Sequence, residues 1–421
     1  MSIKTRLTVM NFLQFAVWGA YLTSMGTYLA KNGLGAHIGI FYAMQGIVSL
    51  FMPAVMGIIA DRFVPAQKLL GISHFLAALF ACAVGVYGMT AAPGNLEFGK
   101  LFALYALSVA FYMPTLGLSN SVAYSALEGA GLDAVKAFPP IRTFGTIGFI
   151  CSMWIVDLTG CQDNYRQFMV CAAWGVFLAA YAFTLPPCPV ASRGDGNRKS
   201  VVESLGLKAF LLFKQKRMAL FFLFSMLLGV SLQITNGFAN PYISSFGGMA
   251  EYADTFGVQH ANMLISLSQI SETCCILLIP FFLSRYGIKR VMLIAMVAWF
   301  LRFALFGLGD PGSGVWMFVL SMIVYGVAFD FFNVSGSLFV NHETDISVRS
   351  SAQGLFVIMT NGFGATIGTL AAQAVVNHFV DMNSAMPQIE GWRISWFVFS
   401  AYALLVAVLF ALMFRYKHPN N

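Results

Sequence analysis

Charged residues are scarce in this sequence. Asp, Glu, Lys and Arg make up 10% of its 421 residues, whereas an average soluble domain carries about 25%. So few charges cannot cover the water-facing surface of a soluble protein of this size. Apolar residues make up 58% and the mean hydropathy is +0.75, enough for about a dozen spans at roughly 20 residues each. The composition therefore predicts a polytopic membrane protein and excludes soluble enzymes and proteins that bind nucleic acid.

Cysteine is also sparse and forms no motif. The seven cysteines are odd in number and include no Cys-x-x-Cys pair, so neither a disulfide framework nor a structural zinc site is expected. The sequence has no Gly-x-x-x-x-Gly-Lys-Ser/Thr phosphate loop, and His342-Glu343 lacks the second histidine of a zinc-protease motif. We therefore expect no metal, no cofactor and no enzymatic activity.

Long apolar runs, separated by charges, Gly and Pro, give the organisation of the chain. Six runs precede a polar stretch and six follow it. We predict an all-α protein with an N-terminal six-helix bundle (1–186), a cytoplasmic linker (187–217) and a C-terminal six-helix bundle (218–421). The predicted spans are 7–30, 38–60, 69–91, 101–127, 140–160, 167–186, 218–246, 259–284, 289–308, 315–341, 350–378 and 392–414.

The basic residues indicate how the spans are oriented. If the N-terminus lies in the cytoplasm, most of the 24 Lys and Arg residues fall in cytoplasmic segments, as the positive-inside rule requires. Both termini are then cytoplasmic, and the net charge of +7 reflects topology rather than an anionic ligand. The first apolar run is too long for the core of a signal peptide, so we expect it to remain as the first span.

Short strings recur at matching places in the two halves. Phe-Gly-Thr-Ile-Gly at 144–148 in span 5 is echoed by Phe-Gly-Ala-Thr-Ile-Gly at 363–368 in span 11, and Ala-Phe at 110–111 in span 4 is echoed at 328–329 in span 10. Gly and Thr are common in packed membrane helices, but their agreement in position indicates parallel repeats, which many transporters contain.

Four ionisable side chains lie deep in the apolar runs, namely Arg142, Glu272, Arg302 and Asp330. A charge at mid-membrane costs about 2.5–3.5 kcal/mol on insertion scales, so each needs a partner or a water-filled cavity. Glu272 can carry a proton or form a permanent ion pair with Arg302 or Arg142. Asp330 can shuttle a proton or fix span 10 to a neighbour. Arg302, toward the outer end of span 9, is expected to be structural or to pair with an acid.

The spacing on spans 5 and 10 places candidate residues on a shared helix face in each span. Thr146 and Phe149 follow Arg142 at i+4 and i+7, so the three share one helix face. The alternative for Arg142 is a side chain that extends to the lipid headgroups. Tyr325 and Phe329 stand at i and i+4, where a flat ring can stack on them, although aromatic pairs in a chain with 41 Phe usually pack the core.

Carboxamides on spans 7 and 8 repeat a three-residue spacing. Gln233 and Asn236 lie on one face of span 7, and Gln269 and Glu272 lie on one face of span 8. A carboxamide both donates and accepts hydrogen bonds, which suits the polar edges of a small solute. The alternative is a hydrogen bond between helices, worth about 0.6 kcal/mol in membranes.

Span 1 and the histidines form a second tier of candidates. Gln14, Trp18 and Tyr21 follow i, i+4, i+7 spacing and can line the same cavity. His74 and His260 are expected to be interfacial or packed rather than proton carriers, given the acids available.

The end of span 2 resembles a loop of the major facilitator superfamily. Gly57 is followed by Asp61-Arg62 and then by Lys68, as in the Gly-x-x-x-Asp-Arg loop of that superfamily, which the six-plus-six layout also fits. The resemblance implies that Asp61 and Arg62 latch neighbouring helices on the cytoplasmic side and act in gating. The second-half counterpart at 284–290 keeps the Gly and the basic residues but lacks the Asp.

Longer strings resemble the nucleoside–proton symporter family, the bacterial nucleoside permeases, over nearly the whole chain. The resemblance implies import of a nucleoside coupled to a proton, with Arg142, Thr146 and Phe149 facing the nucleoside. It also favours substrate contact for Gln233 and Asn236. We expect two bundles around a central cavity that opens alternately to either side. The matching strings are 138–142, 145–149, 232–236, 268–273, 280–289, 325–326, 328–333 and 351–354.

The expected partners are thus a nucleoside, a proton and the lipid bilayer, and we expect a monomer in the cytoplasmic (inner) membrane. One alternative is transport of a sugar or organic anion, since Arg142 suits a carboxylate. Another is a non-transporting membrane receptor, which the absence of a sizeable soluble segment disfavours. Sodium coupling stays open because a lone acid serves either ion. The candidate substrate-binding residues are Arg142, Thr146, Phe149, Gln233, Asn236, Gln269, Glu272, Tyr325 and Phe329, with Glu272 and Asp330 as proton-coupling residues.

Overall fold

The computed structural model describes residues 2–91, 96–188, 207–345, 348–381 and 388–416. In these ranges every regular element is helical, which confirms the predicted all-α class. Helices are expected because lipid offers the backbone no partners, so each segment must satisfy its own N–H and C=O groups. Nine helical stretches in the described ranges are long and apolar enough to cross a membrane, and the shorter apolar helix Arg166–Ala182 accompanies them.

The chain divides into two compact units. The first comprises Met1–Gly35 and Ile47–Lys199, and the second comprises Ala36–Gly46 and Ser200–Asn421. The helices up to the central polar stretch are α1 (Ile3–Gly19), α2 (Met25–Lys31), α3 (Ile38–Arg62), α4 (Ala66–Thr90), α5 (Phe98–Tyr112), α6 (Thr115–Gly129), α7 (Ala134–Leu158) and α8 (Arg166–Ala182). Most of the predicted linker, 189–206, lies outside the described residues.

Helices of the second unit follow a short 3₁₀ segment, Leu207–Lys214. They are α9 (Lys216–Leu232), α10 (Ile234–Ser245), α11 (Phe256–Gln259), α12 (Ala261–Ile276), α13 (Ile279–Leu308), α14 (Val315–Glu343), α15 (Arg349–Val357), a π-helical segment (Ile358–Gly364), α16 (Ala365–Phe379) and α17 (Ile389–Met413). Each predicted span in this half therefore coincides with helix.

The first turns of α3 belong to the second unit, although the sequence analysis places them in the first bundle. The Gly39 N–H donates to Gln373 Oε1 at 2.5 Å, and a Cβ at Gly46 would overlap the Thr366 hydroxyl. Glycine at both positions lets the α3 backbone approach α16 closely. This packing explains why residues 36–46 group with the second unit.

Glycines of the echoed strings make equivalent helix contacts in the two units. In the first unit a Cβ at Gly148 of α7 would overlap the Phe12 carbonyl of α1. In the second a Cβ at Gly368 of α16 would overlap the Val230 carbonyl of α9. Only glycine permits backbones to come this near, which is how membrane helices gain van der Waals contact.

Several predicted spans are interrupted rather than continuous. Span 4 breaks between α5 and α6 at Pro114, which has no N–H to continue the helix. Span 7 breaks between α9 and α10 at Gln233, whose φ and ψ are −94° and −7°. Span 11 contains the π-helical segment. Gly287 has a φ of 74°, a conformation that favours glycine, and it separates spans 8 and 9 within α13.

Candidate functional site

The predicted face of α7 lies against α1 in the first unit. The Arg142 guanidinium sits over the Phe15 ring, with Cζ 3.9 Å from the ring centroid. Phe149 is buried and meets Trp18 edge-on at 6.3 Å between centroids. Arg142 and Thr146 are partly exposed. A cation on a ring face is stabilised by the ring quadrupole, so the contact with Phe15 orients the Arg142 guanidinium.

A chain of neutral hydrogen bonds runs through the core of the first unit. His74 Nε2 lies 2.8 Å from Gln14 Oε1, and the Gln14 amide donates to the Thr115 hydroxyl at 2.8 Å. Thr115 donates to the Tyr112 carbonyl, and the Tyr112 hydroxyl donates to the Gln14 carbonyl at 2.8 Å. The chain closes across the break at Pro114. It shows that Gln14 and His74 belong to the helix core, as expected for His74 but not for Gln14.

The carboxamide pair of span 7 stands where the helix breaks in the second unit. Gln233 ends α9, and Asn236 lies in the first turn of α10. Asn236 Nδ2 donates to Gln233 Oε1 at 2.9 Å, which confirms that the two share a face. Both side chains are partly exposed. Interrupted membrane helices are typical places for substrate groups in transporters, because their ends present backbone and side-chain polar atoms together.

The aromatic pair on α14 is stacked as its spacing predicts. The Tyr325 and Phe329 centroids lie 5.6 Å apart at 15° between planes, and Trp299 of α13 meets Tyr325 edge-on at 5.9 Å. Tyr325 is buried, whereas Phe329 is partly exposed. Phe329 is therefore the member of this stack with more exposed surface.

Two carboxyl groups, Glu272 on α12 and Asp330 on α14, interact electrostatically. A Cβ at Gly326 would meet the Ser271 carbonyl and the Cys275 sulfur, and the Ser271 hydroxyl donates to the Ile323 carbonyl. This close packing brings Glu272 within electrostatic range of Asp330. Asp330 is 5% exposed, and its Oδ2 has no hydrogen-bond partner among the described residues.

Arg302 of α13 is buried without an acidic partner in the described part of the chain. Its Nη1 donates to the Ser321 carbonyl at 2.9 Å and to the Ser268 hydroxyl at 3.3 Å. Its Cζ lies 4.5 Å from the Tyr325 centroid. Neither Ser268 nor Ser321 was predicted from the sequence, although the position of Ser268 one helix turn before Glu272 was a signal for Ser268.

The predicted gating pair ends α3. Asp61 and Arg62 are the last residues of that helix, and their side chains lie outside the described residues. Their role stays a prediction. Chemically, the second unit therefore offers a stacked aromatic pair, a carboxamide pair and two neighbouring carboxyls, whereas the first offers a ring-held guanidinium.

Comparison with known proteins places the whole chain in one family. A family model described as "Nucleoside H+ symporter" matches residues 1–419. Xanthosine permease and nucleoside permease NupG, both of Escherichia coli, are each 46% identical over 421 residues, covering 99% of this chain and 97% of theirs. A putative nucleoside transporter of the same organism, YegT, is 30% identical over 426 residues, covering 99% of this chain and 94% of its own.

Solved structures agree with the sequence matches. The crystal structure of nucleoside transporter NupG superimposes with a TM-score of 0.88 at 46% identity, covering 99% of this chain and all of that one. The xylose transporter XylE from E. coli shares the fold, with a TM-score of 0.59 at 14% identity over 97% of this chain and 98% of its own. The chain thus has the fold of major facilitator transporters, and it belongs to the nucleoside–proton symporter family.

Proposed function

We propose that this chain imports nucleosides by symport with protons across the inner membrane, with both termini cytoplasmic and a single chain as the working unit. The observation that carries the proposal is the full-length match to the nucleoside–proton symporter family. The arrangement of the second unit supports it, because a stacked aromatic pair, carboxamides and neighbouring carboxyls suit a neutral heterocycle with hydroxyl groups and a proton.

The substrate contacts fall into two sets, one in each unit. In the first unit Arg142, Thr146 and Phe149 contact the nucleoside. In the second, the base stacks on the Tyr325–Phe329 pair. Base–aromatic stacking is worth about 1–3 kcal/mol per base in single-strand binding proteins, which sets the scale for this contact.

Carboxamides in the second unit read the polar edges of the nucleoside. Gln233, Asn236 and Gln269 can each donate to and accept from ribose hydroxyls and base edges. The Asn236–Gln233 bond leaves the Gln233 amide free to donate. The pair can therefore turn toward a ligand without losing its own bond.

Proton coupling uses the two carboxyls. Asp330 Oδ2 has no hydrogen-bond partner among the described residues, and Glu272 lies within electrostatic range of Asp330. Two like charges in apolar surroundings repel strongly, so a proton shared by the pair relieves that repulsion. Proton uptake and release at this pair is how the cycle is driven.

The test is uptake of labelled uridine and adenosine into proteoliposomes, with and without an inward proton gradient. We expect accumulation that requires the gradient and that a protonophore abolishes. Unlabelled sugars and organic anions should not compete. Saturable binding without uptake would point instead to a receptor, and a requirement for sodium would overturn proton coupling.

Site variants then test the substrate contacts. Gln233→Ala should raise the KM for uridine about tenfold, the scale of one lost hydrogen-bonding group left unpaired. The matched control is Gln259→Ala, because Gln259 is an exposed carboxamide whose Nε2 donates to the Ala253 carbonyl at 2.7 Å. Unchanged uptake and affinity in Gln233→Ala would remove that residue from the site.

A further inference from the structure

Arg302 is held by groups that belong to two other helices. Its guanidinium bonds to Ser268 of α12 and to the Ser321 carbonyl of α14. The Ser321 hydroxyl returns a bond to the Arg302 carbonyl at 2.9 Å. Its Cζ also lies 4.5 Å from the Tyr325 centroid. The Arg302 side chain therefore links its own helix, α13, to both α12 and α14.

The burial of the positively charged Arg302 side chain requires an explanation. Arg302 is 2% exposed, no acidic side chain pairs with it in the described ranges, and its Nε has no hydrogen-bond partner there. A buried charge without a counter-charge is costly, so natural membrane proteins keep one mainly where function requires it. A purely structural contact between these helices could be made by apolar side chains without that cost.

The groups that Arg302 contacts are next to the proposed substrate contacts. Ser268 precedes Gln269 directly and lies one helix turn before Glu272. The Tyr325 ring that faces the guanidinium also stacks on Phe329 and meets Trp299 edge-on. The planar guanidinium is suited to this arrangement, because it can donate in its plane and lie against a ring with its face.

We propose that Arg302 is a positioning residue for nucleoside binding, which fixes the plane of the Tyr325 ring and the register of α12 beside it. The inference rests on the proposed function, since it assumes that the Tyr325–Phe329 stack receives the base. Arg302 itself does not contact the nucleoside. Its loss loosens the stack and so weakens binding without removing a substrate contact.

The first measurement compares Arg302→Met with wild-type protein in proteoliposomes. Methionine keeps an unbranched apolar stem but removes the charge and the planar donors. We expect the KM for uridine to rise about fivefold to tenfold while the maximal rate stays within twofold. The matched control is Arg290→Met, an exposed arginine of the same helix, which should leave both constants unchanged. A wild-type KM in Arg302→Met would overturn the proposal.

A double-mutant cycle shows whether Arg302 acts through Tyr325. Tyr325→Leu removes the ring and should raise the KM by tenfold or more. If Arg302 works by holding that ring, Arg302→Met added to Tyr325→Leu should raise the KM less than twofold further, because coupled residues are not additive. Multiplication of the two single effects would contradict a positioning role through Tyr325.

The cycle also separates this inference from the proposed function. If Tyr325→Leu leaves uridine binding intact, the stacking assignment fails whatever Arg302 does. If Tyr325→Leu weakens binding and Arg302→Met does not, only the positioning role fails.

Conservative variants keep the test decisive if Arg302→Met does not fold. Arg302→Lys keeps the charge near the ring but loses the planar fork, and Ser268→Ala removes one bond without burying a new charge. Both should retain the wild-type melting temperature within a few degrees and raise the KM about threefold. Wild-type KM values in both folded variants would overturn the proposal.

Discussion

One buried polar cluster from each unit shows two ways of holding such groups. In the first, the groups joined to Gln14 are neutral and bond to one another, so that a chain of hydrogen bonds crosses the helix core. In the second, Arg302 and Asp330 are ionisable and keep atoms without a partner in the described ranges. Paired neutral groups stabilise a core, whereas unpaired ionisable groups cost stability.

One glycine-mediated helix contact recurs in both units. Gly148 seats α7 on α1, and Gly368 seats α16 on α9, each against a carbonyl of its neighbour. The units therefore share a scaffold and differ in what it carries. We infer that the repeated glycines hold the fold and that the second unit has exchanged some stability for proton and base chemistry, as functional sites commonly do.

Asp330→Asn tests the role of the unpartnered ionisable groups in the second unit and should have the largest effect. The amide keeps the shape of the carboxyl but cannot exchange a proton. We expect gradient-driven accumulation of uridine to be lost, while exchange of labelled for unlabelled uridine across the membrane persists. The melting temperature in detergent should stay the same or rise, because the amide cannot carry the negative charge that is costly to bury.

The control for Asp330→Asn is Glu390→Gln, which neutralises an exposed acid paired with Arg393 and should leave accumulation intact. Retained accumulation in Asp330→Asn would transfer the coupling role to Glu272. A fall in melting temperature would show that Asp330 stabilises the second unit, and the contrast between the units would then be wrong.

Gly148→Val and Gly368→Val test the helix contact that recurs in the two units. Each side chain would overlap a neighbouring carbonyl, and overpacking of this kind costs typically 1–3 kcal/mol. We expect a loss of about 3 kcal/mol in the free energy of unfolding, at the upper end of that range, and of similar size in the two units. SDS-induced unfolding in mixed micelles measures it.

Gly117 and Gly354 provide the matched controls, because a Cβ at either position meets nothing within 4 Å. Gly117→Val and Gly354→Val should change the free energy of unfolding by less than about 1 kcal/mol. A large loss in only one of Gly148→Val and Gly368→Val would mean that the echoed glycines are not equivalent.

Much of this fold could be predicted from the sequence, because membrane helices are read from composition and spacing. The all-α class and the i, i+4 stack of Tyr325 on Phe329 follow from local periodicity. The interruptions within the predicted spans were harder to predict from the sequence. Pro114 signals a break, but the break at Gln233 has no proline or glycine at its centre, and the grouping of 36–46 depends on contacts with α16 far along the chain.

The candidate site was less accessible to sequence reasoning for the same reason. Spacing placed Gln233 beside Asn236, which lie on one helix, and the hydrogen bond between them confirms it. It could not show that Arg302 meets Tyr325 rather than an acid, because those residues lie on different helices. The role of each candidate in transport stays a prediction until the variants above are measured.

His74→Leu tests the neutral network of the first unit and should have the smallest effect. Leucine fills the buried space but leaves Gln14 Oε1 without the imidazole partner. An acceptor left unpaired in this way costs about 1–3 kcal/mol; we expect the lower end, because the Gln14 amide still bonds to Thr115. Uptake constants should stay within twofold, since His74 lies in the core rather than among the proposed substrate contacts. If His74→Leu instead abolishes proton-driven uptake at unchanged stability, the ionisable chemistry is not confined to the second unit, and the histidine takes part in coupling.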